Sequence, residues 1–136
     1  MGARLRLVCR SLAQALLLTA GIVSADGHEG LPHAFDAGWQ GEATCELLFE
    51  DKSVRVGKCV FPPGIGHEKH YHNPHFGYTL KGSTLRITDA NGTADRVIVD
   101  GYAWSTDTLT IHEAINVGDS TTSYLIVEPK PGASAE

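Results

Sequence analysis

Positive charge is scarce in this sequence: eleven Lys and Arg stand against sixteen Asp and Glu in 136 residues. No basic run offsets the imbalance, and an acidic surface repels phosphate backbones, which argues against nucleic acid as a partner. Long apolar runs are missing too. The longest, SLAQALLLTAGIV at 11–23, has about thirteen residues where a membrane-crossing helix needs about 20. No segment carries a long apolar stripe at 3.6-residue spacing, which argues against a helical fold. No repeat at a fixed period is present. The length suits one compact domain, and 42% apolar residues are enough to bury a core.

The basic residues that exist are unevenly placed. Arg4, Arg6 and Arg10 precede the apolar run, and Val23-Ser24-Ala25 follows it. A basic start, a short apolar centre and a small-residue end make a secretory signal over residues 1–25, with cleavage expected after Ala25. The mature chain is then more acidic than the formal −5 of the whole, secreted or periplasmic, and free of the membrane. Residues 26–42 read as a loose N-terminal arm, 43–128 as the folded domain and 129–136 as a frayed tail.

Three cysteines are present, and Cys9 leaves with the signal. Cys45 and Cys59 remain, in strand-like segments on either side of Glu50-Asp51-Lys52. A turn centred near Lys52 sets them opposite each other, so a cross-strand disulfide is one reading in an oxidising compartment. Two separate buried thiols are the other.

Short strands fill most of the domain: CELLFE, SVRVGKCVF, FGYTL, TLRITDA, DRVIV and TSYLIVE are rich in β-branched and aromatic residues. Turn chemistry separates them at Pro62-Pro63-Gly64, Lys81-Gly82-Ser83, Asn91-Gly92 and Val117-Gly118-Asp119. Asn91-Gly92 marks a hairpin. Residues 34–42 suit either one helical turn or an edge strand. Many short strands predict an all-β sandwich or barrel.

Histidine is concentrated. Four of the seven, His67, His70, His72 and His75, fall in HEKHYHNPH. Pro62-Pro63 and Asn73-Pro74 block helix on both sides, so Lys69–His72 is extended and His70 and His72 share one face. Two adjacent imidazoles suit Zn, Cu, Fe or Ni. Asn73-Pro74 turns the chain, which lets His75 return to the same site. His112 in IHEAIN lies where a barrel would bring it opposite. His67 and Glu68 are expected at the rim, and Glu113 on the far face from His112.

These residues resemble the paired motifs of the cupin superfamily. Gly64, five residues, His70-Tyr71-His72 and a closing Gly82 follow the first motif. His75 stands before Gly82 with six residues between, where the family has glutamate. Gly101, His112 and Asn116 follow the spacing of the second motif, with Asp107 and Leu109 in place of its proline and glycine. The resemblance implies a double-stranded β-helix (jelly-roll) barrel with one divalent transition metal (Fe, Ni, Cu, Mn or Zn) on His70, His72 and His112. His75 would be a fourth ligand or a nearby group, and Asn116 structural. It also implies a possible homodimer.

An all-histidine set is neutral, so the metal would keep its charge and favour an anionic or chelating guest. Three functions follow from that. The first is a mononuclear metal-dependent oxygenase acting on a small organic molecule. The second is a non-enzymatic periplasmic module binding metal or a small ligand. The third is a metal-dependent isomerase or lyase, which needs a proton acceptor such as Tyr78, Tyr102 or Glu68 in place of the absent glutamate. Tyr78, Phe76, Tyr102 and Trp104 are candidate pocket-lining aromatics. Cleavage after Ala25 would also expose Asp26-Gly27-His28, whose amine, amides and imidazole can form a square-planar Cu(II) or Ni(II) site.

Overall fold

The computed structural model describes residues 27–132. The expected signal at 1–25, Asp26 and the last four residues lie outside this range. Among the described residues there is no helix. Eleven strands form instead: β1 (Gly38–Trp39), β2 (Glu42–Ala43), β3 (Cys45–Glu50), β4 (Val54–Phe61), β5 (Gly66–His72), β6 (His75–Lys81), β7 (Ser83–Asp89), β8 (Gly92–Ile98), β9 (Ala103–Thr106), β10 (Thr110–Asn116) and β11 (Thr122–Pro129).

Two antiparallel sheets make the barrel. One has the order β5-β10-β7-β8 and the other β3-β4-β11-β6-β9. The strand pattern predicts an all-β sandwich or barrel and the family resemblance a jelly roll, and this is the fold formed. Alternation along each strand sends one side chain in two to the shared interior. Leu85 and Ala114 from the first sheet meet Cys59, Phe61, Tyr124 and Ile126 from the second. On β6 the same alternation buries His75, Gly77 and Thr79 and exposes Phe76 and Tyr78.

The turns follow their chemistry. Asp51 takes the N–H groups of Ser53 and Val54 and the Ser53 hydroxyl, closing β3 onto β4. The register then sets Cys45 opposite Cys59, and their sulfurs are bonded. The β7–β8 hairpin turns at Ala90-Asn91, with Gly92 at φ 114° absorbing the left-handed step.

Residues 27–42, within the stretch 26–42 expected as a loose arm, are packed. Tyr71 N–H donates to the Pro32 carbonyl and Ala34 N–H to the Tyr71 carbonyl, at 3.1 and 2.9 Å. The segment thus covers the free edge of β5, the kind of edge that natural sheets protect. His33, Ala34 and Ala37 are buried there. The ring of Phe35 occupies the space a side chain at residue 57 would need, so Gly57 is required by close packing. The undecided stretch 34–42 holds both alternatives: N–H groups of Asp36 and Ala37 turn back onto the His33 carbonyl, and β1 then pairs with β2. At the other end, β11 runs through Pro129, and Lys130 N–H bonds the Ser53 carbonyl, so the tail begins later than residue 129.

The disulfide joins the outermost strand of the five-stranded sheet to its neighbour, where pairing has only one partner strand. The double substitution Cys45→Ser/Cys59→Ser is expected to lower the unfolding free energy by about 2–4 kcal/mol. Denaturant titration checks this as a lower midpoint at unchanged slope. A loss under about 0.5 kcal/mol would show that strand pairing alone secures this edge.

Candidate metal centre

Strand register brings the ligand candidates together, and one irregularity adds His67 to them. Between β5 and β10 the register pairs His72 with Thr110 and His70 with His112, then shifts so that His67 pairs with Ala114. Glu68 and Lys69 together oppose Glu113, a one-residue bulge on β5. A bulge reverses the alternation of a strand beyond it. His67, His70 and His72 therefore all point inward, at 0%, 0% and 2% exposure, while Glu68 and Lys69 face solvent.

The rings form a stack along the interior. His67 lies 3.8 Å from His70 between ring centroids, His70 4.7 Å from His112, and His72 4.5 Å from His75. One nitrogen from each of His70, His72 and His112 lies within 4.8 Å of the others, and the same holds for His72, His75 and Glu128. These groups are placed to hold a metal ion.

Hydrogen bonds fix which nitrogen is free. His70 Nδ1 lies 2.6 Å from the Glu68 carbonyl, and His75 Nδ1 lies 2.8 Å from the Asn73 carbonyl. A carbonyl only accepts, so both Nδ1 atoms carry hydrogen and both Nε2 atoms carry a lone pair. Trp104 Nε1–H donates to His75 Nε2 at 3.3 Å. The His75 lone pair is thus already engaged, while that of His70 points at His72 Nε2, 2.9 Å away.

His72 decides whether a cation fits. Its Nδ1 is 3.5 Å from Glu128 Oε1, and neither atom has another partner. If His72 carried its hydrogen on Nε2, its Nδ1 lone pair would face a buried carboxylate oxygen. With the hydrogen on Nδ1, that clash disappears, and two Nε2 lone pairs face each other. Only a cation between them resolves this second arrangement. Two nitrogens about 2.0–2.1 Å from one ion and at right angles stand about 2.9 Å apart, which matches the spacing. The donor set therefore fits a divalent transition metal on His70, His72 and His112.

Burial holds these imidazoles neutral, as ligands must be. It lowers His72 to about 3 and His112 to about 4, and lowers His70 further, with neighbouring imidazoles adding to the effect. His67 is brought down to about 4 by burial behind the disulfide, its Nε2 3.8 Å from Cys45 Sγ. Burial pushes the Glu128 carboxyl up, but the imidazoles of His33 and His72 outweigh it and hold the group at about 2.

A cavity of about 280 Å³ opens onto His72, His75 and His112. Leu85, Ile87, Ile98, Trp104, Tyr124 and Ile126 supply apolar walls, and Asp89, Arg96 and Tyr102 polar ones. Trp104 lies flat over Gly77, where a Cβ would stand 2.1 Å from the indole. Arg96 is opposite Leu85 in the β7–β8 register, hence on the inner face, and among the described residues it has no ion-pair partner.

Several sequence expectations land elsewhere. His67, expected at the rim, is fully buried, because the bulge turns it inward. Glu68 is on the surface, where its carboxylate accepts the Gln40 N–H, so it does not face the imidazoles. Tyr78 and Phe76 lie on the outer face of β6. Tyr102 and Trp104 do reach the cavity, with rings stacked at 5.9 Å. His28 packs against Tyr71 at 4.3 Å between centroids. Asn116 serves the scaffold: its amide donates to the Phe61 and Ser120 carbonyls and accepts from Ser83 and Gly118. Glu128 and His33 were missed. Neither belongs to a motif, and only the pairing of β11 within the barrel brings Glu128 behind His72.

No family model matches the sequence, and no curated protein does. Solved structures do match. A cupin domain from Bordetella pertussis superposes with a TM-score of 0.60 at 20% identity, covering 63% of this chain and 91% of that one. A cupin-family protein with a double-stranded β-helix fold from Methanocaldococcus jannaschii gives 0.51 at 15% identity, over 68% and 87%. The polyketide cyclase RemF from Streptomyces resistomycificus gives 0.53 at 15% identity, over 75% of each chain. These likenesses establish the fold as the cupin double-stranded β-helix.

The protonation states predict an acid limit on stability. Well above pH 6.5, the ordinary histidine value, His67 and His112 are unprotonated in both the folded and the unfolded chain. Between pH 6.5 and about 4 the unfolded chain binds protons that buried His67 and His112 refuse, so stability falls as pH falls. Glu128 extends the loss from 4.5 towards about 2. Melting temperature against pH, with a chelator present, should decline through this window. A flat profile from pH 7 to 4 would contradict neutral buried imidazoles.

Proposed function

We propose that this chain is a secreted metalloprotein whose His70, His72 and His112 hold one divalent transition metal, and that it acts as an oxygenase on a small organic molecule. The observation that carries this reading is the cavity of about 280 Å³ that ends on His72, His75 and His112. A site built only to store metal would close over its ion. Here a ligand can approach the imidazoles along an apolar channel.

The chain's own groups select the substrate. The walls from Leu85, Ile87, Ile98 and Trp104 favour an apolar or aromatic body and keep water out. Arg96 offers a guanidinium to a carboxylate or similar anion at the cavity wall. His75, tied to Trp104 by its lone pair, orients the indole rather than adding a fourth ligand. The metal, when bound, would supply a Lewis acid that takes a chelating anion and supports reaction with dioxygen. Of the proton acceptors an isomerase or lyase would need, the cavity offers Tyr102 and Asp89. Glu128 lies behind His72, and the Oδ1 atom of Asp89 is occupied by the Asn91 N–H. Secretion is supported by the Cys45–Cys59 bond, which persists in oxidising compartments.

Metal analysis by mass spectrometry on untagged protein should find about one divalent ion per chain. His70→Ala is expected to abolish it and His75→Ala to retain it. Equal loss in both would make His75 a true ligand and favour a closed binding module. Oxygen uptake should appear with aromatic or enolic carboxylates, and Arg96→Gln should raise their KM about tenfold while sparing neutral analogues. Turnover without oxygen uptake would replace the oxygenase by Lewis-acid chemistry.

A further inference from the structure

The buried carboxylate behind His72 has no part in the cavity, and its surroundings are unusual. Glu128 is 2% exposed at the end of β11. Its Oε2 accepts from His33 Nε2 at 2.8 Å. The direction is fixed, because Phe35 N–H donates to His33 Nδ1 at 3.2 Å, which leaves the hydrogen on Nε2. The other oxygen, Oε1, has no hydrogen-bond partner and faces His72 Nδ1, which has none either, 3.5 Å away. A buried carboxylate serving only the fold would gain by satisfying both oxygens, since an unpartnered buried acceptor costs about 1–3 kcal/mol. Here the second oxygen is aimed at a metal-ligand candidate.

We infer that Glu128 and His33 are positioning residues of the metal centre. Glu128 holds His72 with Nε2 turned towards His70 and His112, and His33, carried by the N-terminal segment, holds Glu128. The inference rests on the metal reading given above. It also relocates the carboxylate that the first cupin motif provides at residue 75. The negative charge sits one imidazole away from the ion, where it raises the basicity of His72 without occupying a coordination position. The segment 27–44 is then part of the site. Tyr71, between the two ligands of β5, is bonded to Pro32 and Ala34, and its ring meets His33 edge-on at 5.2 Å. His33 therefore reaches Glu128 from a backbone tied to the same strand that bears His70 and His72.

The probe is Co(II), whose visible bands report ligand geometry, with affinity read by chelator competition on the full mature chain. Glu128→Gln is expected to weaken Co(II) binding by about 10–100-fold and shift the bands. Gln accepts from one imidazole through its single oxygen and places an N–H against the other. His33→Gln should move both readouts in the same direction by a smaller factor. Adding it to Glu128→Gln should change little, because His33 acts through Glu128. Glu128→Asp, which keeps the charge, should recover part of the affinity.

Metal-free melting curves run in parallel. Lower melting with wild-type Co(II) affinity and bands would overturn the inference and leave a structural hydrogen bond. Additive losses in the double variant would overturn the chain of action from His33. If Glu128→Gln fails to fold, the partner variant His33→Gln still decides, because unchanged bands there contradict the scheme. Wild-type protein that binds no Co(II) would remove the metal reading itself, a result separate from either.

Discussion

The pairing of β5 with β10 is the constraint on which the site depends. In register, His70 meets His112 across the strands, and one extra residue at Glu68–Lys69 reverses the alternation beyond it. Without that bulge, His67 would share a face with Lys69 and Tyr71, and no ring would stack on the back of His70. With it, four imidazoles of β5 and β10 line one interior path. The N-terminal segment then seals the outer edge of β5, so the strand that carries two ligand candidates is bonded on both sides.

Electrostatics follows from that burial. Imidazoles in an apolar barrel lose their protons, because desolvation penalises the charged form. Neutral rings are what a metal requires, so packing prepares the ligands before any ion arrives. The carboxylate behind His72, that of Glu128, is kept charged by the two imidazoles that flank it. Charge is therefore layered: cavity, neutral imidazoles, then Glu128. On the cavity side, Arg96 supplies a positive charge that attracts an anion.

Histidine at position 75, one of the groups placed to hold a metal with His72 and Glu128, also carries a local hydrogen-bond pattern. Its place in the sequence is that of a ligand. In the barrel its Nδ1–H is spent on Asn73 and its Nε2 lone pair accepts from Trp104. Trp104 can lie there only because residue 77 is glycine. The aromatic wall of the cavity and the arrangement of its imidazoles thus depend on one another.

The sequence by itself determined the strand-rich architecture, the β3–β4 turn that brings Cys45 to Cys59, and the common face of His70 and His72. Each is local: turn residues and a period of two act within a few residues. The spacing of Gly101, His112 and Asn116 also indicated the second half of the site through a family likeness. Only the tertiary structure decided the rest. A bulge changes which face a residue takes without leaving a signature in the sequence, so His67 was placed at the rim. Glu68 and Tyr78 were misjudged as site candidates because chemical type says nothing of direction. Glu128 and His33 come from segments 95 residues apart, and their meeting is set by how β11 and the N-terminal segment pack around β5, a long-range outcome that no local pattern encodes.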